Sequence, residues 1–232
     1  MIDIHSHVIP NVDDGSTSID ASIKLLKDAI DEGVTDLICT PHYRHLMFET
    51  ELALIKKQFE LLQEEVTKQN LNIRLYLGQE IYLRRPRALS EYFEKNRIMP
   101  INETNYLLLE FSYTNDIDIS EVVYNAKLKG YNSIIAHIER YQYVDLNQAI
   151  EIKNAGALIQ VNAESINGSY GFLTKRKVMK FIKNGIVDFV ASDIHCNRVN
   201  GMAKAYKKIT KKFGNEIADK LFCSNALKLI KR

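Results

Sequence analysis

Short apolar runs alternate with amphipathic stretches along the whole chain. Seven of the apolar runs predict buried strands. They are MIDI at 1–4, VTDLICT at 34–40, NIRLYLG at 72–78, YLLLEF at 106–111, YNSIIAH at 131–137, ALIQVN at 157–162 and IVDFVASD at 186–193. Because apolar strands alternate with helices, the pattern predicts a parallel sheet covered by helices. Seven such units indicate an α/β barrel, closed or nearly closed.

Capping residues and glycines mark the ends of the predicted helices. Ser18 precedes four apolar positions spaced by four, three and four residues, and Gly33 follows them, as expected for one amphipathic helix. We predict a second helix near residues 49–69, and a helix with irregular flanks within 83–100. No linker or low-complexity segment divides the chain, so we expect a single domain over residues 1–232.

Histidines and carboxylates stand at the predicted carboxyl ends of the strands, where parallel barrels build their active sites. They are His5, His7, His42, Glu80, Glu110, His137, Asp193 and His195. Five of the six histidines of the chain are therefore expected on one rim. Residues two apart in a strand point the same way, so the pairs His5–His7 and Asp193–His195 can each offer two ligands to one site.

These donors favour a metal centre. Mixed imidazole and carboxylate ligands suit manganese, iron or zinc better than magnesium. The VDDG turn at 12–15 adds a ninth donor, for which we take Asp14, although Asp13 is also possible. Nine donors exceed the needs of one ion, so we expect two or three, with Glu80 able to bridge. Such a cluster generates hydroxide at neutral pH, which favours hydrolysis.

Two arginines follow these donors closely in sequence. Arg140 comes three residues after His137, and Arg198 three residues after His195. A guanidinium group matches phosphate oxygens with two parallel hydrogen bonds, so both arginines are candidate catalytic residues for a phosphate substrate. A surface salt bridge remains the alternative for each.

Other chemistries lack their motifs. A cysteine-dependent tyrosine phosphatase needs an arginine six residues after its thiolate, but position 202 is Met after Cys196, and Arg44 comes too early after Cys39. No serine-hydrolase elbow or glycine-rich phosphate loop follows a predicted strand. Three cysteines without paired spacing argue against a disulfide framework and favour the cytoplasm.

Charge and hydropathy restrict the partners. A net charge of +2 argues against a nucleic-acid-binding protein, and no run approaches the ~18 apolar residues needed for membrane insertion. The last thirty residues are nevertheless basic. Their cationic residues are Lys204, Lys207, Lys208, Lys211, Lys212, Lys220, Lys228, Lys231 and Arg232. They indicate either a solvated helix face or a docking site for an acidic partner or membrane.

An ordered set of motifs resembles one family over nearly the full length. The motifs are MxDxHxH at the N-terminus, VDDG, TPH at 40–42, GQEIY at 78–82, LLEF at 108–111, AHIERY at 136–141, QVNAESINGSYG at 160–171 and ASDIH at 191–195. Together they resemble the tyrosine phosphatases of the polymerase and histidinol phosphatase (PHP) superfamily that belong to Gram-positive capsule and exopolysaccharide clusters.

The resemblance implies a distorted (β/α)7 barrel of the PHP fold with a trinuclear, commonly manganese-dependent site that uses all nine donors. It also implies the substrate, the phosphorylated tyrosine-rich tail of a bacterial tyrosine autokinase that controls polysaccharide synthesis. The family places an arginine about seven residues beyond the DxH aspartate, whereas Arg198 lies five beyond Asp193. The alternatives are a small-molecule phosphatase such as histidinol phosphatase, and an inert module that only binds a partner. Oligomeric state is left open.

Overall fold

The computed structural model describes residues 1–230, so that Lys231 and Arg232 of the basic C-terminal segment lie outside the described residues. The strands are β1 (Ile2–Ser6), β2 (Asp36–Cys39), β3 (His42–Tyr43), β4 (Arg74–Leu77), β5 (Glu80–Leu83), β6 (Tyr106–Phe111), β7 (Asn132–Ile135), β8 (Leu158–Asn162) and β9 (Phe189–Ala191). The helices are α1 (Ile19–Asp31), α2 (Leu52–Lys68), α3 (Ala88–Glu94), α4 (Ile119–Leu128), α5 (Leu146–Asn154), α6 (Ala163–Asn167), α7 (Phe172–Lys183), α8 (Met202–Phe213) and α9 (Asn215–Phe222). Short 3-10 helices span Ile101–Glu103, Ile138–Arg140 and Ser224–Leu229.

Every pairing between these strands is parallel. One sheet has the order β1-β2-β4 and the other the order β3-β5-β6-β7-β8-β9. The first and last strands meet, because Ser6 forms a parallel bridge with Ile194 and the His7 amide donates to the Ile194 carbonyl. The sheets therefore curl around a common axis, and the expected distorted α/β barrel is confirmed.

The prediction of seven strands was incomplete, because two of them are broken and continue as β3 and β5. The break after β4 falls at Gly78 and Gln79, where Gly78 approaches the 3-10 helix so closely that a Cβ would lie 3.1 Å from Ile101 Cγ1. Glu80 was expected to follow the strand at 72–78. It does follow β4, and it also opens β5, where it pairs with Leu108 of β6.

The predicted helices are present with shifted ends. Ser18 caps α1, since its side chain accepts a hydrogen bond from the Ala21 amide at 3.1 Å. The stretch predicted at 49–69 is α2, and the irregular segment at 83–100 contains the short helix α3. No helix within residues 1–230 is both long and apolar enough to cross a bilayer.

The inner face of the barrel changes from apolar to polar along the strands. Leu108 and Phe189 are buried in a small inner cluster with Leu229 of the C-terminal 3-10 helix, which covers the amino end of the barrel. Two residues beyond Leu108 on the same face stands Glu110, and Gln160 follows Leu158 in the same way. The barrel is therefore filled by hydrocarbon at one end and by polar donors at the other.

Candidate metal centre

The nine donors expected from the sequence come together at the carboxyl ends of the strands. Their ligand atoms form four overlapping groups, each compact enough to hold an ion. The groups are His7–Asp14–His42–His195, His5–His7–Asp193, His5–Glu80–His137 and His42–Glu80–Glu110. All of these side chains except Asp14 are buried or nearly so.

The imidazoles of His5 and His7 face each other and two carboxylates with the spacing of a coordination shell. His5 Nε2 and His7 Nε2 are 3.2 Å apart and lie 3.2 and 3.3 Å from Glu80 Oε2. Asp193 Oδ1 lies 3.6 Å from both imidazole nitrogens. Ligands at about 2.1 Å from a tetrahedral ion are separated by about 3.4 Å. The donor set thus fits a first-row divalent metal.

A second group lies nearer the solvent. Asp14 Oδ1 is 3.5 Å from His42 Nε2 and 3.5 Å from His195 Nε2, and the Asp14 side chain is 54% exposed. The other ring nitrogen of His42 lies 2.9 Å from Glu80 Oε2. A neutral imidazole has a single lone pair for a metal, so His42 serves only one of the two groups it touches.

Glu80 occupies the middle of the centre. Its Oε2 faces His5 and His7, while its Oε1 lies 2.9 Å from His137 Nε2, as a bridging carboxylate requires. Glu80 Oε2 and Glu110 Oε2 are buried and, within residues 1–230, receive no well-directed hydrogen bond, although imidazole nitrogens lie close to Glu80 Oε2. Buried carboxylate oxygens without donors are costly, and a bound cation would satisfy them.

Polar residues behind the histidines set their ring orientation. His5 Nδ1 lies 3.2 Å from Gln160 Oε1, and His7 Nδ1 lies 2.7 Å from Asp13 Oδ2. His195 Nδ1 donates to the backbone carbonyl of Asp193 at 3.0 Å. Each contact holds the proton on Nδ1 and leaves Nε2 as the nitrogen that faces the centre.

The two aspartates of the VDDG turn have different positions. Asp13 is buried behind His7, and its Oδ2 also accepts a hydrogen bond from the His42 amide at 2.9 Å. Only Asp14 points at the donor cluster. Gly15 allows this turn to fold tightly, because a Cβ there would lie 2.2 Å from the His7 carbonyl oxygen.

The charges of the buried groups depend strongly on one another. Burial disfavours the charged form of His5, yet the carboxylates of Glu80 and Asp193 outweigh it and raise the pKa to about 9. The pKa of His7 rises to about 10 against its own burial, mainly through Asp13. Burial and the neighbouring Glu80 raise the pKa of Glu110. The donors therefore hold protons that a metal ion would displace.

Two candidate ligands have left-handed backbone conformations. His137 has a φ of 31° and Asp193 a φ of 54°. This conformation is energetically unfavourable for residues that have a Cβ, and such backbone strain is concentrated at functional sites. Both residues follow a strand, and both contribute a side chain to the donor groups.

Both predicted arginines converge on Asp193. Arg198 Nη1 donates to Asp193 Oδ2 at 2.7 Å, and Arg140 Nη1 lies 3.5 Å from the same oxygen. The Arg140 guanidinium also lies 4.3 Å from the Tyr113 ring centre and 5.4 Å from that of Tyr170. The shorter spacing of Arg198 thus still brings it to the rim of the centre.

Sequence reasoning missed several supporting residues. Gln160 also accepts from the His137 amide and donates to Asn162 Oδ1, and Asn162 in turn donates to Asp193 Oδ2 at 2.8 Å. The available signal was the pair of polar side chains, two residues apart, in the apolar run ALIQVN. Tyr113, which donates to Glu110 Oε1 at 2.9 Å, carried no such signal.

The loop beside His42 splits between packing and the rim. The Tyr43 ring is buried and packs edge-on against Tyr92. His45, the one histidine outside the donor set, pairs with Glu49. Phe48 stacks on His42 with ring centres 5.5 Å apart, so of these three loop residues only Phe48 contacts the centre.

Known proteins are similar to this chain in sequence and in fold. The family model described as capsular polysaccharide synthesis, CpsB/CapC, matches residues 1–231. The tyrosine-protein phosphatase CpsB of Streptococcus agalactiae serotype V is 35% identical over 242 residues, which cover 100% of this chain and 98% of that protein.

Solved structures extend the comparison. One solved structure is described as that of YwqE from Bacillus subtilis and CpsB from Streptococcus pneumoniae, unique metal-dependent tyrosine phosphatases. The chain superposes on it with a TM-score of 0.91 at 27% identity, and the alignment covers 99% of this chain and 94% of the other. Histidinol phosphate phosphatase from Lactococcus lactis, solved with zinc, L-histidinol and phosphate, gives a TM-score of 0.59 at 14% identity, with 90% of this chain and 93% of that chain covered. At that identity the likeness shows the fold alone.

Proposed function

The chain belongs to the capsular polysaccharide synthesis family CpsB/CapC, and from that premise we propose that it is a metal-dependent protein tyrosine phosphatase. The name of the Streptococcus agalactiae relative and the description of the Bacillus and pneumococcal enzymes support this activity. The observation that carries the proposal is the cluster of His5, His7, Glu80 and Asp193 donor atoms at coordination spacing, with two arginines at its edge.

We assign the metal ligands to the nine residues of the four groups, and propose two or three manganese ions, although iron and zinc accept the same donors. When bound, such ions supply a hydroxide nucleophile at neutral pH and neutralise charge on the phosphoryl group. Gln160 and Asp13 hold the imidazoles of His5 and His7 in place.

Arg140 and Arg198 are proposed to bind the phosphate oxygens. Asp193 holds both guanidinium groups at the rim, where their other N–H groups could donate hydrogen bonds to a bound anion. Their charge would stabilise the equatorial oxygens as the bond to the tyrosine oxygen breaks. The phenol, with a pKa of about 10, departs with less help from a proton donor than an alcohol needs.

The proposed physiological substrate is the phosphorylated tyrosine tail of a bacterial tyrosine autokinase in the cytoplasm. Hydrolysis there would regulate capsular or exopolysaccharide synthesis. The family description as capsular polysaccharide synthesis supports this role.

Chelation separates this mechanism from cysteine chemistry. Cys39 is buried, and burial raises the pKa of its thiol, which makes it a poor nucleophile. We expect hydrolysis of a phosphotyrosine peptide to survive Cys→Ser changes at positions 39, 196 and 223, and to fall at least a hundredfold with a strong chelator. Activity that resists chelation but is lost on thiol alkylation would refute the proposal.

The same assay addresses the small-molecule alternative. Histidinol phosphate and the phosphotyrosine peptide are compared at equal concentration with manganese supplied. A higher kcat/KM for histidinol phosphate would favour the alternative.

A further inference from the structure

Helices α7 and α8 carry an unusual concentration of positive charge. Their 24 residues include ten Lys or Arg and no Asp or Glu, although the whole chain has a net charge of only +2. The rest of the chain is therefore net acidic. Within residues 1–230, none of the ten cationic groups lies within 4.0 Å of a carboxylate oxygen.

The two helices enclose a groove over α6. Its walls and floor are formed by Ile166, Lys175, Met179, Lys208, Lys211 and Lys212, and its volume is about 450 Å³. We call this feature the basic groove. Lys208 Nζ donates to the Asn167 carbonyl at the end of α6, which fixes α8 beside it. The side chain of Lys175 lies against Gly168, where an added Cβ would be 3.4 Å from Lys175 Cδ.

The basic groove combines an apolar floor with charged walls. Ile166 is fully buried in the core and Met179 packs against the core. Burial, and then the nearby amines of Lys175 and Lys204, lower the pKa of Lys208. Clustered like charges repel one another and destabilise the fold, and a bound anion would offset that repulsion. The nearest acid, Glu164, is already engaged by Asn167 and Ser169.

The basic groove adjoins the metal centre along the chain. Asn162, which opens α6, bonds Asp193, and Tyr170, just before α7, lies beside Arg140. Phe172 and Leu173 then stand exposed at the start of α7, with 75% and 77% of their surface accessible. From Phe172 to Met179 the helix advances about 10 Å, the length of about three extended residues.

We propose that the basic groove binds an acidic segment of the substrate protein, the protein whose phosphotyrosine enters the metal centre. This inference rests on the proposed phosphatase function and adds a determinant of substrate choice. The segment would carry Asp or Glu three or more residues from the phosphotyrosine and an apolar side chain for the floor. A concave groove with an apolar floor suits a peptide side chain better than the flat surface of a bilayer.

Paired substrates and charge reversal test the proposal. Two phosphotyrosine peptides are compared, one with an acidic cluster four to seven residues from the tyrosine and one with serines in its place. We expect the manganese-loaded wild type to show about a tenfold lower KM for the acidic peptide, and a similar kcat. The variant Lys211→Glu/Lys212→Glu should lose the preference, and rising salt should reduce it in the wild type.

The matched control reverses two exposed lysines on α2, Lys56→Glu/Lys57→Glu, and should keep the preference. A second measurement does not depend on catalysis. In fluorescence anisotropy, the unphosphorylated acidic peptide should bind the wild type more tightly than it binds Lys211→Glu/Lys212→Glu. Hydrolysis of free phosphotyrosine tests the phosphatase function separately and should be equal in all three proteins.

Equal KM values for the two peptides in the wild type would overturn the proposal, as would equal losses in both double variants. Binding to vesicles of anionic phospholipid through Lys211 and Lys212, without a peptide preference, would overturn it in favour of a membrane-docking surface.

Discussion

At the scale of single residues, Tyr113 joins the two halves of the site. Its hydroxyl donates to Glu110, a proposed metal ligand, while its ring lies under the guanidinium of Arg140. Burial and the Glu110 carboxylate raise the pKa of Tyr113 far above its usual value, so it remains a hydrogen-bond donor. One side chain therefore positions both the metal ligand and the proposed phosphate-binding arginine.

Two substitutions separate these contributions. Tyr113→Phe removes the bond to Glu110 and keeps the ring, so we expect about tenfold weaker manganese binding, by calorimetry, with little change in KM. Tyr113→Leu also removes the ring beneath Arg140 and should in addition raise the KM for a phosphotyrosine peptide several-fold. Unchanged metal affinity in Tyr113→Phe, or the same KM in both variants, would show that Tyr113 has no such positioning role.

The sequence predicted the donors better than their supports. Histidines at strand ends are informative because parallel strands deliver their carboxyl ends to one rim, whatever the length of the connections. The choice between Asp13 and Asp14 depends on how the turn at Gly15 folds against His7, which is a three-dimensional contact. Gln160 was invisible as a partner of His5 because 155 residues separate them in the chain.

At the scale of elements, α7 contains a lysine whose partial burial disfavours its charged form. Lys177 Nζ donates to the Tyr141 carbonyl at 2.6 Å, and burial lowers the pKa of Lys177 to about 8 in spite of attraction by Glu139 and Asp145. An unfolded lysine has a pKa of about 10.4. Between these values the unfolded chain binds more protons, so this lysine makes the unfolding free energy rise with pH.

The effect is measured as a difference between two proteins. We expect the unfolding free energy of the wild type, relative to Lys177→Met, to increase by about 1 kcal/mol from pH 7.5 to pH 9.5, a value that allows for solvent screening of a half-buried amine. Urea titrations of both proteins at both pH values provide it. A difference that stays constant or falls would contradict the lowered pKa.

Element ends were predictable where local signals were strong. The run YLLLEF coincides with β6, whereas the run at 186–193 shortens to a strand of three residues. The breaks that create β3 and β5 follow from the contacts of Gly78 with Ile101 and from pairing across the barrel. Local sequence cannot contain such distant constraints.

At the scale of the whole molecule, the proposed ligands connect strands from both ends of the chain. Ions that bind the folded state alone stabilise it, by about 2.7 kcal/mol at a concentration one hundred times the dissociation constant. For a chain of this size we expect manganese to raise Tm by roughly 5–10 °C over the chelated protein. Thermal scans of the wild type and two variants measure it.

The variants decide whether the shift belongs to this centre. Asp193→Asn should lose most of the stabilisation, whereas Cys196→Ser, an exposed position outside the donor set, should retain it. An equal shift in all three proteins would place the bound ions elsewhere. The single-domain organisation over residues 1–232 stays a prediction.

The meeting of β1 with the segment after β9 has a consequence for biosynthesis. His5 and His7 leave the ribosome well before Asp193 and His195, which lie almost two hundred residues later in the sequence. At about 5–20 residues per second, that interval is on the order of ten seconds or more. During this interval the two early histidines are exposed to metal ions without their final partners. We therefore expect selection of the metal to be a property of the finished barrel, and to occur only after Asp193 and His195 have been synthesised.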